Sequence, residues 1–323
     1  MKKIDAHLHL VQNIAGFNGK GRLNALGNGD AIWDDGTLIH LLPNEYGETD
    51  FTAEAVLRLM DTNGIDKAMV LQGSLNGYQN YYTWQTMRQY PDRFMGAFSV
   101  DPFTEQFMTI LQRHVRDLGF RSMKLEISAG GGMHGYHVTT PFRLDLDPRV
   151  GQMLHYLANY PGFNIIVDYG SADQISHQPE AIVNLAQRYP MLNFVVCHLS
   201  FGQTNQLALY QNTLDQWQPF TNIYTDLAAI QDINDETSQP YMASTELVKR
   251  AYQTLGSERL LWGTDSPWSA TFNAYADLAS WLEKADIMPT SALENVYYQN
   301  AERLYFNSEA KRAVLEAVDP SQC

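Results

Sequence analysis

The chain has 323 residues, a formal net charge of −14, 12% aromatic residues and two cysteines. That acidic balance excludes a nucleic-acid binder, which needs clustered Lys and Arg against phosphate. No apolar run approaches the roughly 18–20 residues of a membrane span, no basic and apolar leader precedes the first strand, and Cys197 and Cys323 make no disulfide framework; a reducing, cytoplasmic setting is expected.

The first strand is read at residues 3–10, where Ile4, Ala6, Leu8 and Leu10 alternate with Asp5, His7 and His9. Side chains two apart on a strand share a face, so both imidazoles project together with Asp5 behind them. Residues 11–50 are rich in Gly and Asn and read as a long irregular loop, the kind that often forms a lid. From residue 51 a rhythm begins. Helices are expected at 52–63 (ended by Gly64), 80–90, 105–118, 149–160, 180–189, 206–217, 245–255 and 273–285, with a last one at 291–305. Between them, apolar strands are expected at 66–73, 93–100, 120–127, 163–169, 193–199, 222–227 and 259–264. Eight strand–helix units with near-continuous apolar strands predict a parallel sheet covered by helices, closed as a single (β/α)8 TIM barrel of about 250 residues. The barrel is assigned to residues 1–306 and a polar tail to 307–323.

In such a barrel the working residues lie where strands end. Chemistry-bearing side chains interrupt four of the apolar runs there: His7 and His9, Asp168 after Ile165-Ile166-Val167, His198 after Val195-Val196-Cys197, and Asp265 after Leu260-Leu261-Trp262-Gly263-Thr264. Two converging histidines can make two corners of a transition-metal site, and a strand-end carboxylate a third. On the fourth strand Ser122, Lys124 and Glu126 share a face opposite Met123, Leu125 and Ile127, which directs Lys124 and Glu126 into the barrel as an expected ion pair. His134 and His137 follow a glycine run that could reach over the pocket. Arg143 and Arg22 are candidates for gripping a carboxylate, and Trp268 for lining the pocket; His40, His114 and His155 read as structural or surface residues.

The phrases Asp5-Ala6-His7-Leu8-His9, Cys197-His198-Leu199-Ser200 and Trp262-Gly263-Thr264-Asp265-Ser266-Pro267 resemble the amidohydrolase superfamily. The closest likeness is to the group that includes aminocarboxymuconate-semialdehyde decarboxylase. The resemblance runs over residues 3–306 and extends to Tyr90-Pro91-Asp92-Arg93-Phe94, Asp101-Pro102 and Asn300-Ala301-Glu302-Arg303-Leu304. It implies that His7 and His9 ligate one divalent metal ion, zinc first and manganese second, with Asp265 as both metal neighbour and acid/base. His198 would polarise the substrate or activate water, and Asp5 would sit inward behind the ligands or accept a hydrogen bond that orients an imidazole. One departure is visible: where such proteins usually carry His-x-Gly at the end of the fifth strand, this chain has Asp168-Tyr169-Gly170. Asp168 is accordingly expected as a ligand, with His177 as the substitute. The resemblance implies a metal-dependent hydrolase, activated water attacking a lactone, ester or amide carbonyl of a small carboxylated molecule. A non-oxidative decarboxylase and a catalytically inactive ligand-binding barrel are the alternatives, and a homodimer is allowed for.

Overall fold

A computed structural model describes residues 1–129 and 142–318. The described strands, in chain order, begin with β1 (Ile4–Leu8). Then come four short ones: β2 (Phe17–Asn18), β3 (Gly21–Gly27), β4 (Asp30–Trp33) and β5 (Leu38–His40). The remainder are β6 (Lys67–Val70), β7 (Phe94–Gly96), β8 (Ser122–Glu126), β9 (Asn164–Asp168), β10 (Asn193–Val196), β11 (Ile223–Asp226) and β12 (Leu260–Leu261).

Parallel ladders join β1–β6–β7 and β8–β9–β10–β11–β12. Backbone hydrogen bonds just past the strand ends span both gaps between these arcs. Phe98 N–H donates to Ser122 O (3.2 Å) and Lys124 N–H to Phe98 O (2.8 Å), linking β7 to β8. On the other side Ala6 N–H donates to Trp262 O (2.9 Å), Asp265 N–H to His7 O (2.7 Å) and His9 N–H to Ser266 O (2.8 Å). The ring of parallel strands is the expected TIM barrel, and its last seam is the one that carries His7, His9 and Asp265.

The helices cover the ring by burying one stripe each. Helix Ala53–Asn63 starts where Thr52 accepts from Ala55 N–H and stops at Gly64, whose φ of 67° suits glycine; its buried face is Ala53, Val56 and Met60. Each fully buried side chain such as Val56 or Met60 contributes about 1.5–3 kcal/mol relative to exposure. This burial holds the scaffold rigid beneath its polar end.

Two stretches differ from expectation. Residues 11–50 are not irregular: β2, β3, β4 and β5 form an antiparallel sheet, with Gly27 opposite Asp30 across Asn28-Gly29. Both turn residues have positive φ (52° and 77°), the geometry that makes Asn-Gly a tight hairpin turn. The strands are mostly exposed and bury only alternate residues such as Leu23, Ala31 and Trp33, so no apolar run announces them. The end of the chain is not merely a polar tail either. Asn307 caps helix Ser308–Glu316, which buries Ala310 and Val314 against the body.

Candidate metal centre and active site

β1 aims His7 and His9 out of its end onto one face, and every imidazole gathered there has its Nδ1 committed. His7 Nδ1 lies 2.9 Å from Asp226 Oδ2, His9 Nδ1 2.9 Å from Leu71 O, and His198 Nδ1 2.9 Å from Ala228 O. A carboxylate or carbonyl can only accept, so in each neutral ring Nδ1 carries the proton and Nε2 keeps a lone pair. His7 Nε2 and His9 Nε2 then stand 3.2 and 3.0 Å from the same oxygen, Asp265 Oδ1. His7 Nε2 is buried without a hydrogen-bond partner.

Lone pairs facing a carboxylate repel unless a proton or a cation lies between them. The donor atoms of His7, His9 and Asp265 lie within 4.8 Å of one another, and two imidazoles with one carboxylate are a donor set zinc accepts. The residues fit a divalent cation. Cys197 is within similar reach of His7 and His198, but burial pushes its thiol up to about 12, so it stays protonated and is a poor ligand at neutral pH.

Charge follows the same geometry. Burial opposes ionisation of Asp265, yet hydrogen bonding to His7 and His9 and the charge of a protonated His7 hold it well below the usual carboxylate range. Burial also opposes protonation of His7, but the Asp226 charge outweighs it and raises His7 above the ordinary imidazole value. His9 is lowered by burial. In the protein without a cation, the extra proton therefore belongs on His7, between two carboxylates.

The backbone pays for this placement in strain. Asp265 has φ 60°, and His198, Leu199, Ser200 and Phe201 form a run at φ 58°, 48°, 58° and 55°. Left-handed conformation costs a non-glycine residue about 1–2 kcal/mol, and such strain persists only where the surroundings enforce it. Asp226 Oδ1 accepts from His198 N–H (2.9 Å) and Ala228 N–H (3.2 Å), while the Tyr169 and Ser200 hydroxyls share a hydrogen bond. For Asp265 the anchor is Asp5, which accepts from Thr264 N–H (3.0 Å), Thr264 Oγ1 (2.6 Å) and Tyr275 OH (3.0 Å). Asp5, which also accepts from His7 N–H (3.2 Å), thus fixes the Asp265 loop from behind the ligands, one of its two expected roles, and bonds no imidazole ring.

Asp226, the link between His7 and His198, was not singled out in the sequence. It ends the short run Ile223-Tyr224-Thr225-Asp226, and its one signal is the strand-end position shared with Asp168 and Asp265. Asp168 is brought to the cavity but not into the His7–His9–Asp265 trio. Its Oδ1 accepts from Gly170 N–H (3.1 Å), and Oδ2 is 3.8 Å from His198 Nε2. His177 packs edge-on to Tyr169 at 5.3 Å and is not grouped with the three donors.

The expected Lys124–Glu126 ion pair is not made: Glu126 accepts instead from Ser74 N–H (2.8 Å) and Ser74 Oγ (2.6 Å). Arg143 is taken up by Asp145, and exposed Arg22 lines neither cavity of the site. His40 pairs with Asp30 at the surface, His114 bonds Ile110 O, and His155 is exposed. His134, His137 and Cys323 lie outside the described residues.

Above the trio opens a cavity of about 530 Å³, walled by Phe201, Asp232, Trp268 and Phe272 with Asp168, His198 and Asp265 at its base. A smaller one of about 100 Å³ continues toward β8 and reaches His9, Lys124 and Glu126. Trp268 lines both, as expected.

The sequence matches the amidohydrolase family profile over residues 4–306. The chain belongs to the amidohydrolase family. No curated protein matches it significantly. Solved structures share the fold: a zinc-bound amidohydrolase from Burkholderia multivorans is 14% identical with a TM-score of 0.69, covering 94% of this chain and 99% of its own. A probable 2-pyrone-4,6-dicarboxylic acid hydrolase from Acinetobacter baumannii, with citric acid bound, is 15% identical at TM-score 0.65, covering 94% and 99%. The 5-carboxyvanillate decarboxylase from Sphingomonas paucimobilis is 15% identical at TM-score 0.56, covering 78% and 82%. Proteins named as hydrolases and as decarboxylases thus share this fold. Among the described residues, no helix of this member is long and apolar enough to cross a membrane.

Proposed function

We propose that this amidohydrolase is a metal-dependent hydrolase that adds water to the carbonyl carbon of a lactone, ester or amide. The observation that carries this reading is the convergence of His7 Nε2 and His9 Nε2, lone pairs outward, on Asp265 Oδ1. His7, His9 and Asp265 would hold one divalent ion, zinc before manganese; Asp168 faces the same space beside His198 and is the candidate fourth ligand. When bound, the ion supplies Lewis acidity, which lowers the pKa of a water and draws charge from a carbonyl oxygen.

The chain's own residues do the rest. Asp265, held ionised, takes the proton of the attacking water and returns it to the leaving oxygen or nitrogen. His198, its Nδ1–H tied to Ala228 O, presents Nε2 to orient the water or, protonated, to hold the carbonyl oxygen. Trp268, Phe272 and Phe201 wall off bulk water and pack the substrate.

The test is elemental analysis of protein purified without added metal or chelator, beside a His7→Ala/His9→Ala variant, followed by a lactone and ester panel. About one equivalent of zinc or manganese, lost in the variant, with acid release from the panel, is the expected result. Metal absent from both samples after reconstitution overturns the reading. A metal-replete protein that releases carbon dioxide from aromatic carboxylic acids, and no acid from lactones or esters, assigns it instead to the decarboxylases, which can employ the same ligands.

A further inference from the structure

Lys124 is the one buried cation of the site that nothing answers. It is 2% exposed, lies on β8 and lines the smaller cavity with His9, Glu126, Asp168, His198 and Asp265. Among the described residues no hydrogen bond reaches its Nζ and no carboxylate oxygen comes within 4.0 Å. Each nearby acid is engaged elsewhere: Glu126 by Ser74, Asp168 by Gly170 N–H, Asp265 by the two histidines. Burial works against the Lys124 charge, but the surrounding Glu126, Asp168 and Asp265 keep the amine protonated. An ammonium group has three donors, and here they face the cavity with no protein acceptor among the described residues. A ligand oxygen entering the cavity supplies the missing acceptor.

The larger cavity says what the rest of that ligand is like. No Lys or Arg is among the residues lining it, and Lys124 is the single one lining the smaller cavity. Residues 130–141, outside the described part, contain neither Lys nor Arg. The outer wall carries Asp232, Asp235 and Glu236 beside Trp268 and Phe272. A second carboxylate placed there would meet Asp235 and Glu236 and no Lys or Arg. An uncharged or aromatic group would meet ring faces.

We propose that Lys124 binds one carboxylate of the substrate at the cavity floor and that the acidic, aromatic outer wall rejects a second, making the site selective for monoanionic substrates. This deepens the hydrolase reading and rests on it for the word substrate. The chain is similar in fold to a dicarboxylic acid hydrolase, but its own lining points to a ligand with one charge fewer.

The test uses benzoate and isophthalate, matched in ring and differing by one carboxylate. Binding to the full chain is measured by titration calorimetry, with its metal and again after chelation, which separates Lys124 from direct ligation by the ion. Benzoate is expected to bind wild type in both states. K124M, which keeps the length and removes the charge, should weaken it by about tenfold or more, while K124R keeps most of the affinity. Isophthalate should bind wild type at least about tenfold more weakly than benzoate, and D235N should narrow that gap.

Equal benzoate affinity in wild type and a folded K124M overturns the proposal, as does isophthalate binding tighter than benzoate. Metal retention that depends on bicarbonate and is abolished in K124M also overturns it, because Lys124 would then be a carbamylated ligand. None of these readouts requires turnover. A protein that never binds metal yet binds benzoate through Lys124 sinks the hydrolase reading alone; one that hydrolyses lactones while ignoring Lys124 sinks this inference alone.

Discussion

The two halves of the cavity are built to different standards. On the side of β1, β10, β11 and β12 the groups behind the trio are tied to one another: Asp226 ties His7 to the backbone of His198, and Asp5 ties Thr264 beside Asp265. On the side of β8 and β9, the Lys124 ammonium has no partner among the described residues, Glu126 is drawn off by a loop residue, and Asp168 takes one backbone N–H. A group that must keep one geometry through a reaction has to be braced beforehand, since preorganised dipoles need no rearrangement as charge develops. A group that recognises substrate can wait for its partner. The braced half reads as chemistry and the loose half as selectivity, and substitutions in the two should fail differently.

The sharpest break is predicted for Asp226→Asn. Its two oxygens serve His7 Nδ1, His198 N–H and Ala228 N–H, all donors. An asparagine keeps one acceptor and turns an NH2 toward a donor, so either the His7 tautomer or the His198 backbone is lost. Metal affinity, read by competition with a chromogenic chelator, should fall about 10–100-fold. Unchanged affinity would show that the braced half does not depend on this link.

What could be read beforehand follows the same division. His7, His9, His198 and Asp265 were legible because each interrupts an apolar strand, and a barrel delivers every strand end to one rim. Asp226 was not: Tyr224 and Thr225 precede it, so its run is less apolar and the aspartate looks like the start of a turn. The Lys124–Glu126 pair was misread from spacing alone. Side chains two apart on a strand share a face, but their anchors are about 6.6 Å apart, and Ser74 offers Glu126 two nearer donors from the loop after β6. No local pattern contains that loop. The β2–β5 sheet hid for the opposite reason, since its strands bury too little to show a run, although Asn28-Gly29 marked a hairpin.

A smaller break is predicted at the seam itself. A Cβ on Gly263 would lie 2.7 Å from His7 Cβ and 2.8 Å from His7 N. Those atoms belong to a strand and its root, not to a flexible tip, so β1 must give way. Gly263→Ala should cost about 1–3 kcal/mol in denaturant unfolding and loosen metal binding at the same time. Loss of stability with full metal affinity would mean the seam yields without moving His7.

The smallest effect lies at the outer rim and tests the acidic wall. Burial, aided by the Asp265 charge, pushes Asp232 up to about 7 from an ordinary value of 3.8. Its proton is thus held more tightly in the folded chain than in the unfolded one. The stabilisation is fully present below the unfolded value and is lost as pH rises through the folded one, so the melting temperature should decline between about pH 4 and pH 7. Asp232→Asn has no proton to lose there. It should flatten that part of the profile and be more stable than wild type at pH 8, by about 1 kcal/mol once screening at the cavity wall is allowed for. Because a bound divalent ion offsets the Asp265 charge, the difference between wild type and Asp232→Asn should shrink when metal is added. A difference that ignores metal would detach the outer wall from the charge of the centre below it, and wall and centre would then have to be treated as electrostatically independent.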